Sequence, residues 1–185
     1  MGRADDGTDV AVPSVAAEDR GAALLALYDD AVEEVYRYLL ARCRNRTVAE
    51  DVTSDVFTGA VDAIVRGVVE DVTTAWLIGI ARHKLVDHWR RVEREERRLS
   101  AVADEQGPDP TDDDPWDARL DALAARDVLE QLGAHHRAVL TLRYLDGLSV
   151  PEVASVLDRT VHATEALLMR AKRAFRAMYE EQVDR

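Results

Sequence analysis

At 185 residues the chain has room for one domain or two small ones. Hydrophobic residues make up 47% and aromatics only 5%, enough for a core and weighted toward the Ala, Val and Leu of helices. The net charge of −12 opposes long-range attraction to nucleic acid, so any DNA-binding role must rest on local basic surface.

No apolar run approaches the ~20 residues that span a bilayer, and the acidic start MGRADDGTDVAVPSVAAEDR is not a secretory signal. One cysteine, Cys43, excludes an internal disulfide, a CxxC pair and a cysteine-built zinc site. A cytoplasmic protein without direct membrane insertion is expected.

Residues 1–20, polar and acidic, are expected to form a mobile tail. A first helix is predicted from about Ala22 to Cys43, with Leu24, Tyr28, Ala31, Val35 and Leu39 inward and Leu25, Val32 and Tyr36 beside them. Cys43 reads as a small apolar filler near its end. Thr47-Val48-Ala49-Glu50 reads as a capping box opening a second helix. There Ala49, Val52, Val56 and Ala60 face in, with Phe57 adjacent, while Glu50, Asp51 and Asp55 stay wet. Like charges four apart cost a few tenths of a kcal/mol, so Asp51 and Asp55 are either a solvated face or a docking face.

A loop is expected at Arg66 to Asp71 around Gly67, after which Thr73 or Thr74 caps a long third helix. Its inner side is Trp76 or Leu77, Ile78, Ala81, Leu85 and Trp89; its outer stripe is His83, Asp87, Arg90 and Arg94. Basic groups beside aromatics suit nucleic acid, because cations hold phosphate while rings stack on unpaired bases. Each tryptophan nonetheless reads first as a core residue, Trp76 more so than Trp89. His83 and His88 lack a third ligand, so no metal site is expected.

From about Ser100 to Ala118, acid and proline predict an extended linker reaching about 60 Å at most. Leu120, Leu123, Val128, Leu129 and Leu132 then supply a second core. Asp146-Gly147 should stop a helix, and Ser149-Val150-Pro151-Glu152 is a capping box that starts the next, with Val150, Val153, Ala154 and Leu157 on one face. Asp158-Arg159-Thr160 turns tightly into a last helix whose Val161, Thr164, Leu168, Ala171 and Phe175 face the core. Arg159, His162, Ala166, Met169, Arg170 and Arg173 project outward. Two short helices, a tight turn and a partly basic outer face fit helix-turn-helix DNA binding, or else a helical hairpin with a solvated face.

The stretch LRYLDGLSVPEVASVLDRTVHATEALLMRAKRAF resembles region four of bacterial sigma factors of the extracytoplasmic-function (ECF) subgroup. AEDVTSDVF followed by AWLIGIARHKLVDHWRR resembles region two of the same subgroup, in order. The resemblance implies an all-α chain of two small helical domains joined by an acidic flexible linker: region 2 over 21–98, linker over 99–118, region 4 over 119–182. It implies an initiation factor without catalytic chemistry or cofactor. Glu50, Asp51, Asp55 and Phe57 would dock on the clamp helices of the largest subunit of core RNA polymerase. Arg66, His83, Lys84, Asp87, Arg90 and Arg91 would recognise and open the minus-ten promoter element, where flipping a base costs a few kcal/mol.

Arg159, Thr160, His162, Glu165, Ala166, Met169, Arg170 and Arg173 would read the minus-thirty-five element, with the apolar side of the unit on the flap of the second polymerase subunit. The linker would thread toward the active-site cleft, and an anti-sigma factor is implied by analogy. The chain departs from the family at Glu165 and Leu167, where Lys and Arg are common, and at His162, which replaces a usual glycine. Minus-thirty-five reading is therefore either unusual or weak. A stand-alone helix-turn-helix regulator is the competing class; an enzyme would need a convergent set of His, Cys and carboxylates that the sequence lacks.

Overall fold

A computed structural model describes residues 15–99 and 122–183, and the expectations for the residues between and before these lie outside them. Among the described residues there are helices and no strands: α1 Val15–Cys43, α2 Arg46–Val65, α3 Thr74–Leu99, α4 Ala122–Gln131, α5 Ala134–Leu140, α6 Val150–Val156 and α7 Val161–Val183. None is long and apolar enough to cross a membrane.

Helices α1, α2 and α3 pack around Leu24, Ala31, Val35, Leu39, Ala49, Val52, Val56, Leu77, Ala81 and Leu85. The apolar stripe of α1 is narrower than expected. Leu25 is 78% exposed and Tyr28 is exposed too, because α2 and α3 cover one side of α1 only. Tyr28 instead meets Phe57 edge-on, with ring centroids 5.0 Å apart.

The start of α2 corrects a second expectation. The chain reverses through Arg44 at φ 49 and leaves Asn45 extended at φ −124, so Asn45 and not Thr47 is the N-cap. The Asn45 side-chain oxygen accepts the Val48 N–H at 3.1 Å. Glu50 is drawn into an ion pair with Arg46 at 2.8 Å and is thereby diverted from a capping box. Thr73 caps α3 by accepting the Trp76 N–H at 3.2 Å. Helices α2 and α3 cross closely at Gly59, where an added Cβ would lie 3.2 Å from Cε of Lys84.

The second half packs α4, α5 and α6 onto α7 around Val128, Leu132, Val139, Leu142, Val153, Leu157, Ala171 and Phe175. Leu123, placed in the core from its spacing, is 66% exposed in the first turn of α4. Along α7, Thr164, Ala171 and Phe175 are buried as expected, and the apolar stripe differs at two places. Val161, its first residue, is 43% exposed, whereas Leu167 is buried beside Thr164, Ala171 and Phe175. The side chain of Leu167, one of the departures from the family, thus points into the core and not along the outer face.

Beyond α5 the helix widens into a π turn at Thr141–Leu145, closed by the Asp146 N–H on the Thr141 carbonyl at 3.0 Å. Gly147 follows at φ 70, and Ser149 opens α6 with the expected capping box. Replacing Gly147 with Ala meets no atom within 4 Å, so the cost is backbone strain alone. A loss of about 1–2 kcal/mol is expected in urea unfolding, the cost of a left-handed non-glycine residue. An unchanged midpoint would mean that this turn relaxes.

The two halves touch. Helix α5 lies against α3, and the buried apolar residues of both halves join in one cluster.

Candidate nucleic-acid interface

The outer face of α7 is built by its cap. Thr160 accepts the Ala163 N–H on its hydroxyl at 3.1 Å, and Asp158 at φ 52 makes the tight turn before it. That start sets the direction of His162, Glu165, Ala166, Met169, Arg170 and Arg173, all exposed. Arg159 is half-buried, its backbone N–H bonded to the Ala154 carbonyl at 2.9 Å. His162 lies 4.0 Å from Glu165, one turn on. Arg176 is exposed as well. Its place three residues past Arg173 continues the stripe, a signal the periodicity carried one step further than it was followed. On the opposite side the apolar residues of α7 are closed over by α4, α5 and α6.

On α3 the outer stripe has His83, Asp87, Arg91 and Arg94 exposed and Lys84 half-buried near Gly59. Arg66, the C-cap of α2, is exposed at the adjoining loop. Arg90 differs. Its guanidinium donates to the Leu157 carbonyl at 3.0 Å and stands 3.6 Å from Asp87, so the second half of the chain already holds it. Trp89 is buried, with the Arg137 guanidinium 4.6 Å above its ring. It is a packing residue and offers no free face to a base. Burial lowers the pKa of His88, and the neighbouring Arg91 and Arg137 add to that fall.

The four polymerase-site candidates on α2 do not share one face. Phe57 and Glu50 line an open groove with Tyr28, Tyr36 and Thr53, on the side toward α1. Asp51 and Asp55 sit more than a quarter turn away, where their charges reach His88 of α3. The acidic pair is one surface and the aromatic groove another.

Asp146 was read from sequence only as a helix stop, and the structure gives it far more. Its side chain is 0% exposed. One oxygen accepts from the Arg42 guanidinium, with Nε at 2.8 Å; the other accepts from the Tyr38 hydroxyl at 2.7 Å and from Arg82 Nε at 3.1 Å. Burial, with the nearby carboxylate, pushes the Tyr38 hydroxyl far up, so it stays a donor. Removing one member of a buried charged cluster leaves an uncompensated charge, which costs about 3–5 kcal/mol. A signal for this existed: Arg42 stands seven residues after Val35, at a core position of α1.

Among the described residues no group of His, Cys, Asp and Glu is placed to hold a metal. The Cys43 thiol, directed at the Leu39 carbonyl, is pushed up by burial, which disfavours the reactive thiolate.

Comparison with known proteins adds likenesses of family, sequence and fold. Residues 27–95 match the family model for sigma-70 region 2, and residues 122–175 match that for sigma-70 region 4. The ECF RNA polymerase sigma factor SigL of Mycobacterium tuberculosis is 32% identical over 170 residues, covering 91% of this chain and 95% of SigL. BldN of Streptomyces coelicolor, another ECF RNA polymerase sigma factor, is 33% identical over 152 residues, covering 80% of this chain but only 56% of BldN. A solved structure of the sigma factor RpoE from Bartonella quintana, in complex with the anti-sigma factor NepR, superposes with a TM-score of 0.52. At 20% identity, covering 91% of this chain and 99% of that one, the likeness is one of fold.

Proposed function

Because the chain belongs to the sigma-70 family, as an ECF sigma factor that directs transcription initiation, we propose how its surfaces divide the work. Region 2, helices α1 to α3, docks on core RNA polymerase through the acidic flank of α2 that carries Asp51 and Asp55. The stripe His83, Asp87, Arg90 and Arg91 of α3, with Arg66 and Lys84 at its margin, recognises the minus-ten element and holds it open. Region 4 lays the face His162, Glu165, Ala166, Met169, Arg170 and Arg173 of α7 in the major groove at the minus-thirty-five element, with Arg159 and Thr160 at the entry turn. The chain works in the cytoplasm, beside polymerase, and contributes no catalytic chemistry of its own. An anti-sigma factor holds it inactive, as NepR is bound to the structurally similar RpoE.

The observation that carries this reading is the exposed, partly basic face of α7, presented by a capped turn after α6. Glutamate at position 165 repels phosphate but accepts from a cytosine amine, so it favours an unusual upstream sequence.

The test is transcription from promoter-bearing DNA by core polymerase with and without the purified chain. Promoter-dependent transcripts are expected, and their absence would favour a stand-alone regulator. Arg173→Ala should weaken the upstream contact across sequences and lower the salt slope of DNA binding by about 1, with core binding unchanged. A change in core binding instead would mean that the surfaces have been exchanged.

A further inference from the structure

We infer that α7 reads its upstream element through a carboxylate and an apolar patch, not through its arginines. Glu165 accepts from the exocyclic amine of a cytosine, and Ala166 and Met169 meet the methyl group of a neighbouring thymine. Arg170, Arg173 and Arg176 hold phosphate alone. This rests on the assignment of α7 to the minus-thirty-five element just proposed. Charge is sorted along the helix. From Val161 to Met169 there is no lysine or arginine, and the one carboxylate is Glu165; the exposed Arg170, Arg173 and Arg176 all come later. The N-terminal residues of a recognition helix are the ones that contact base edges. At 1.5 Å per residue Arg173 and Arg176 stand about 12 and 17 Å beyond Glu165, and Arg170 is turned about 140° round the helix from it. None of the three shares the base that Glu165 faces.

The carboxylate limits which base can lie against it. In the major groove guanine presents the acceptors N7 and O6, and thymine presents O4 beside its methyl, so both repel an anion. Adenine offers its N6 amine next to the N7 acceptor. Cytosine offers its N4 amine with no acceptor beside it on the same base, which makes it the best partner. His162 does not withhold the group. Its ring stands 4.0 Å from Glu165 with both side chains more than half exposed, and an exposed pair of that kind contributes little. Ala166 and Met169, both exposed and three residues apart, offer apolar surface and no hydrogen-bond donor, which suits the thymine methyl.

The test offers duplexes randomised across both promoter elements to holoenzyme assembled from core polymerase and the full chain. The retained upstream motif is expected to hold a cytosine with a thymine beside it. Glu165→Gln should move the preference at that one position from cytosine to adenine, and Glu165→Arg should move it to guanine, each by about tenfold. The downstream motif serves as internal reference, and the exposure of Glu165 leaves the fold of both variants intact. Deoxyuridine in place of the thymine should weaken binding about fourfold, the loss of one buried methyl. Replacing the guanine opposite the cytosine with 7-deazaguanine should change nothing, because its N7 is not read. Arg176→Ala should weaken all sequences alike and leave the motif as it is. An upstream motif lacking the cytosine, a cytosine preference that survives in both variants, or binding lost with 7-deazaguanine would each overturn this reading of the bases while leaving α7 as the upstream reader. A downstream motif with no upstream one would remove the assignment of α7 and this reading together, and no enriched motif at all would remove the function as well.

Discussion

Asp51→Lys is expected to weaken binding to core RNA polymerase by about thirtyfold or more, the effect of losing a contact worth about 2 kcal/mol at an interface hot spot. Charge reversal adds to simple loss, because like charges brought together across an interface cost several kcal/mol. The fold should not suffer. Asp51 is exposed on α2, and lysine is the better helix former of the two. Equilibrium binding by fluorescence anisotropy reads the effect, with circular dichroism confirming helix content. Asp55→Lys should behave alike, whereas Glu50→Gln, on the α1 side of the same helix, should change affinity little. If Asp51→Lys bound core as well as the wild type, the acidic flank would lose its role, and the groove of Tyr28 and Phe57 would take its place.

Phe175→Ala should carry the largest stability cost. The ring is buried in the core of region 4 and stacks on Tyr179 at 5.9 Å. Truncating a buried phenylalanine costs about 3–5 kcal/mol, a large share of the ~5–15 kcal/mol that holds a domain folded. Helices α4 to α7 are expected to melt well below α1 to α3, turning one calorimetric transition into two and abolishing upstream DNA binding. A single, unshifted transition would mean that the site collapses around the missing ring.

The features most legible in the sequence were those with a local chemical signature. Ser149 and Glu152 sit three apart, Gly147 supplies the positive φ, and Thr160 caps α7, all within a few residues of what they control. Errors arose where two neighbouring candidates compete. Thr47 fits a capping box as well as Asn45 fits a cap, and the left-handed Arg44 decides between them only once the chain reverses. Along α7, a period of 3.6 lets either Val161 or Leu167 join the apolar stripe, and packing against α5 and α6 selected Leu167. The division of Glu50 and Phe57 from Asp51 and Asp55 was readable from helical angle alone, since the residues differ by more than a quarter turn. The Asp146 clasp was not. Its partners lie 64 to 108 positions away, and no periodicity encodes a pairing at that range.

The close crossing at Gly59 has a mechanical meaning for initiation. The bare Gly59 makes room for the Lys84 stem and Ile80 of α3, and the core around Ala60, Ile64, Leu77 and Ala81 leaves α2 and α3 little slack to slide against each other. Under the division of surfaces proposed above, a polymerase that grips α2 would thereby fix where α3 stands, and the surface assigned to strand opening would reach the DNA with its aim already set by the enzyme.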